Sequence, residues 1–161
     1  MTEISKLIEK HKAELSLSLD EAIQSALVEY EVLKNTGQSG EPSHIYISFL
    51  RSTVLCKQPF LRIDIYDKDD RSDLMECSTK WDITAISNNL YLEADSIIKK
   101  DGIKDEYKLE QLWLELSDEY SKELEVHISD IIGSTNASNE LECTWHYGRF
   151  LDSATKVWGG D

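Results

Sequence analysis

The hydrophobic period of the chain changes along its length, and that limits the fold more than any other feature. Residues 3 to 34 place Ile4, Leu7, Ile8 and Leu15, then Ile23, Ala26, Leu27, Tyr30 and Leu33, at the i, i+3, i+4 spacing of an amphipathic helix. From 44 to 67 the texture becomes β-branched and aromatic in two runs, HIYISFLRSTVL and FLRIDIYD, separated by Cys56-Lys57-Gln58-Pro59. Helical spacing resumes from Trp81 to Lys100 and is strongest over 105 to 131, where Leu109, Leu112, Trp113, Leu116, Tyr120, Leu124, Ile128 and Ile131 form one stripe.

These runs predict an α+β fold in one domain spanning 1-161. N-terminal helices, a small antiparallel meander built on a hairpin at about 44-67, two further helices and a closing strand make it up, with helices covering one sheet face. Ser18 and Glu21 have capping-box spacing, so the first helical stretch is open to a break near Leu15 to Ser18. Gly37, Gly40 and Pro42 end it. Matching the apolar sets Ile45, Ile47, Phe49 and Leu61, Ile63, Ile65 on one face sends Tyr46, Ser48, Arg62, Asp64 and Tyr66 to the other; a one-residue slip would place Arg51 across from Asp64. Leu74 to Thr79 reads as a short third strand, and Asp105 as the cap of the long helix. Leu141, Cys143, Trp145 and Tyr147 alternate with polar residues in strand fashion after a polar loop at 133 to 139. Residues 157-161 are expected to fray.

Composition decides which partners suit such a fold. With 31 acidic against 17 basic residues the net charge is −14, which opposes contact with a nucleic-acid backbone. Forty per cent apolar residues, four Trp and seven Tyr mark a folded chain, so the acidity belongs to a surface. No apolar run reaches membrane-spanning length and the N-terminus has no secretory apolar core, so a cytoplasmic protein without membrane contact is expected. Cys56, Cys77 and Cys143 are too few and too scattered for a disulfide framework, and reduced, mostly buried thiols are the expectation.

No motif assigns a reaction. G-x-G-x-x-G, G-x4-G-K-[ST] and G-x-S-x-G are all missing. Cys143 and His146 form a C-x2-H pair with no second half, and a strand would turn them to opposite faces, so no zinc cofactor is expected. His127 borders the stripe of the long helix, where a structural role is the expectation. The carboxylates Asp64, Asp67, Asp69, Asp70 and Asp73, with Glu76 nearby, offer oxygen ligands, but an EF-hand counted from Asp67 would meet Ser72 and Ser78 where glycine and glutamate are required.

Two surfaces could recognise a partner. One is the face Tyr46, Ser48, Arg62, Asp64, Tyr66, if that side of the sheet is open; if it is covered, the same residues make an internal network with Arg62 paired to Asp64. The other is the stretch 93 to 130, with twelve carboxylates against five lysines. The expectation is a non-catalytic interaction protein that binds a basic protein partner, comparable in role to small acidic proteins that neutralise nucleases. The alternative is a small divalent-metal-dependent hydrolase using the Asp64 to Asp73 carboxylates.

Overall fold

The computed structural model describes residues 1–72 and 77–160. Its first element is a single uninterrupted helix, α1 (Glu3–Asn35), capped by the Thr2 hydroxyl and closed by Gly37 in the left-handed region. Ser18 does not start a second helix. Its hydroxyl donates to the Leu15 and Asp82 carbonyls and accepts from the Trp81 indole at 3.0 Å, so this residue fastens the helix to the sheet instead of breaking it.

The strands are β1 (His44–Phe49), β2 (Phe60–Tyr66), β3 (Cys77–Asp82), β4 (Thr144–Arg149) and β5 (Ala154–Trp158), in the order β3-β2-β1-β4-β5. The antiparallel meander expected is present as β1, β2 and β3, and β4 extends it into a mixed sheet by pairing parallel with β1. The remaining helices are α2 (Arg51–Leu55), α3 (Thr84–Asp101), α4 (Glu106–Gly133) and the short α5 (Ala137–Glu140). Asp105 caps α4 by accepting from the Lys108 amide. Ile45 faces Ile65 and Ile47 faces Ile63, which is the register that matches the apolar sets.

Three local expectations are corrected. Strand β1 stops at Phe49, and 51 to 55 turn helical because Val54 reaches a small second core with Leu90, Trp113 and Leu116. That turn closes in a Schellman pattern, with the Lys57 amide donating to the Val54 carbonyl and the Gln58 amide to that of Thr53. Lys57 takes the left-handed position that glycine usually marks, so the sequence carries no sign of it. Trp81 belongs to β3 and is fully buried instead of opening a helix. The proposed third strand covers 77 to 82, and its expected start, Leu74 to Glu76, lies outside the described residues.

The third correction is the chain end. Val157 and Trp158 are the last residues of β5, paired to β4, and the Trp158 ring lies against Gly133, where a Cβ would meet it at 2.9 Å. The hairpin is tight enough that a Cβ at Gly148 would run into the Ser153 carbonyl.

One layer of helices covers one face of the sheet. Ile8, Leu15, Leu19 and Ile23 of α1 and Leu124, Ile128 and Ile131 of α4 pack on Ile47, Leu61, Ile63, Trp81 and Trp145. Each such fully buried side chain contributes about 1.5–3 kcal/mol. His127 joins the helices from outside the core: its Nε2 lies 2.7 Å from the Ser5 hydroxyl and its Nδ1 3.3 Å from the Glu9 carboxylate. Among the described residues no helix is long and apolar enough to cross a membrane.

Candidate functional site

The strand register assembles the opposite face of the sheet from residues distant in sequence. Across it run Ser78, Asp64, Tyr46, His146 and Lys156, one from each strand, beside the adjacent positions Arg62 and Ser48. Two short segments lean over this face. One is the 3-10 turn Asp70–Ser72 that follows β2, and the other is the β4–β5 connection carrying Phe150 and Leu151.

The contacts are directional. Arg62 grips Asp64 in two-point fashion, with Nε 2.9 Å from Oδ1 and 3.0 Å from Oδ2 and a terminal nitrogen 2.7 Å from Oδ1. The same guanidinium lies 4.2 Å above the Phe150 ring. The Tyr46 ring stacks on His146 at 4.3 Å, meets Tyr66 edge-on and carries the Arg71 guanidinium at 4.2 Å. Its hydroxyl donates to Asp70 at 2.9 Å. His44 Nδ1 and His146 Nε2 share a hydrogen bond at 3.3 Å.

Burial sets the titration of this group. It pushes the Tyr46 phenol up to about 12, with Asp70 adding to the shift. It also lowers His146 below the ordinary imidazole value, and His44 lowers it further. Asp67, under the rim, is lowered because its carboxylate accepts from the Gly40 and Asp69 amides.

Two backbone positions here are uncommon. Asp70 has φ +54° and Leu151 φ +57°, one in each overlying segment, and among the described residues the buried Asp70 Oδ1 has no hydrogen-bond partner.

All five residues singled out from the sequence therefore share one face. Tyr46, Ser48, Asp64 and Tyr66 are buried, Asp64 to 2% exposure, and Arg62 is half-buried. Of the two arrangements open to them, a free patch or an internal network built on the Arg62–Asp64 pair, the structure has the network. Sequence reasoning missed His44, His146, Asp70, Arg71 and Phe150. Only the register of a parallel β1–β4 pair could have placed His146 beside Tyr46, and no local signal announces that pairing.

The chemistry of the remaining groups is limited. Cys143 and His146 do lie on opposite faces, and the Cys143 thiol donates to the Pro42 carbonyl. Burial pushes the Cys77 and Cys143 thiols up to about 11, which removes thiolate at neutral pH. Asp64 and Asp67 are already engaged by Arg62 and by backbone amides. Among the described residues no three His, Cys, Asp or Glu side chains converge as metal ligands, and Asp73 and Glu76 lie outside them.

The excess charge lies elsewhere. Helix α4 alone carries eight carboxylates and two lysines. Glu115, Glu119 and Glu123 stack at i, i+4, i+8, and none has a cation within ion-pair distance among the described residues. Among the described residues, the only carboxylates of this helix in ion pairs are Asp118 and Asp130, with Arg149 and Lys12. Val126, 74% exposed, lies on the same side of the helix, about one turn beyond Glu123.

No protein-family model, curated protein or solved structure matches the chain.

Proposed function

We propose that this chain is a non-catalytic interaction protein that takes a basic protein partner on the outer face of α4. The observation that carries the reading is the unpaired stack Glu115, Glu119, Glu123. Like charges at i, i+4 cost a helix about 0.2–0.5 kcal/mol per pair, and among the described residues no cation closes an ion pair with any of the three. A basic partner supplies the missing cations, and the exposed Val126 adds an apolar contact at one end of the stack. The field of the whole chain, at −14, speeds the encounter and makes it sensitive to salt.

The test compares the wild-type chain with Glu115→Gln, Glu119→Gln, Glu123→Gln combined. Removing these charges relieves repulsion, so the variant is expected to melt slightly higher and cannot lose binding by unfolding. Affinity capture at low salt should recover a basic protein on the wild type alone, and titration calorimetry with that protein should give a fixed ratio and an affinity that falls steeply with salt. Equal retention by the variant, or no fixed ratio, would overturn the reading.

A further inference from the structure

Between the main core and the small core of α2, α3 and α4 lies a cavity of about 40 Å3 that opens to solvent at one side. By the rough measure of 10–15 Å3 per water-sized group, it holds about three such groups. Its walls are apolar side chains such as Leu61, Ile86, Leu90 and Leu124. No described side chain lining it is an acid, a lysine, an arginine or a histidine, in a chain of which 30% of residues are charged. An ion entering it would lose its hydration with no counter-charge to replace it.

One polar group is left without a partner there. Ser87, 5% exposed, lines the cavity, and among the described residues its hydroxyl has no hydrogen-bond partner and does not bond back along α3. Burial pushes up the phenol of Tyr91, one turn further along, and the nearby Ser87 hydroxyl offsets part of that rise, but the two groups fall short of ordinary hydrogen-bond geometry. The other deep hydroxyl pair in the lining is satisfied, since Tyr147 and Ser121 bond each other at 2.9 Å. A buried hydroxyl without a partner is uncommon in a native interior. An apolar recess with one convergent polar group is the usual composition of a small-molecule site.

We propose that this cavity binds a small uncharged ligand, mainly apolar and carrying one hydroxyl or carbonyl that pairs with Ser87. The site lies inside the molecule, away from the outer face of α4, so it stands independently of any protein partner.

Three probes of three to four heavy atoms test it: 2-propanol, propane and acetate, titrated into the full chain labelled at Ile and Leu methyl groups and followed by NMR. 2-Propanol should shift Leu61, Ile86, Leu90 and Leu124 saturably, propane should bind more weakly, and acetate should leave these methyls unmoved. Ser87→Ala should weaken 2-propanol roughly two- to tenfold, the value of one hydrogen bond, and leave propane unchanged. Ser87→Leu, which fills the space, should abolish both, and Ser87→Ala keeps the test decisive if that variant does not fold. Acetate binding as tightly as the alcohol, unmoved lining methyls, or an alcohol affinity indifferent to Ser87→Ala would each overturn the assignment.

Discussion

The two faces of the sheet use alternate residues of the same strands, yet they are held by different physics. Ile45, Ile47, Ile63 and Ile65 face α1 and α4 and are held by close packing alone, which has no preferred direction. Tyr46, Ser48, Arg62, Asp64 and His146 face away from the helices and are held by bonds with fixed partners and angles. The first face tolerates exchange of one apolar shape for another of equal volume. The second depends on each donor meeting its own acceptor, so one substitution there strands a neighbour. A single period-2 pattern therefore encodes one forgiving surface and one exacting surface.

The sharpest way to break this contrast is on the packed face. Ile63 is fully buried in the middle strand pair. Ile63→Ala should cost about 2–5 kcal/mol in urea unfolding, because the surrounding side chains close only part of the space left behind. A cost under about 1 kcal/mol would mean that this face is not close-packed.

On the polar face the informative quantity is a difference. Asp64→Leu removes the carboxylate from a half-buried guanidinium and should cost about 2–4 kcal/mol. Adding Arg62→Met should recover most of that loss, since the pair is then replaced by apolar volume and no charge is stranded. If the double variant were instead the less stable of the two, the pair would be a net source of stability and the contrast between the faces would shrink.

The smallest effect is a pH dependence. His146 has its folded pKa below the unfolded value of about 6.5, because burial and His44 disfavour its charged form. Its contribution is therefore intact above that value and is lost as pH falls from it through the lowered folded pKa, where the unfolded chain binds the proton first. The groups around it are His44, Asp70, Arg71, Lys156 and the Tyr46 ring. Thermal unfolding of wild type and His146→Gln should diverge in this sense between pH 7 and 5. Parallel curves would show that His146 is free to protonate in the folded state.

How much of this was legible varies with the range of the interactions. The long helix α4, its Asp105 cap, the glycine stop of α1 and the facing of Ile45 with Ile65 each follow from residues within a turn or a strand of one another. The five polar residues on the far face were legible as a set for the same reason, because alternation alone separates them from the isoleucines. Their partners were not. Asp70 and Arg71 come from a turn after β2, and His146 and Phe150 come from about 100 residues away. The segment 51 to 55 reads as strand because β-branched Thr53 and Val54 favour that state, and contact of Val54 with Trp113 and Leu90 overrides the preference.

By itself the sequence determined the periods, the caps, the two-sidedness of β1 and β2 and a net charge that must lie on the surface, since each depends on neighbours a few bonds away or on simple counting. The tertiary structure alone decided the parallel pairing of β1 with β4, the ordering of β5 against Gly133, and the closure of the polar face. Those outcomes depend on which distant surfaces meet, and the entropy of bringing them together is offset only when the whole interface forms.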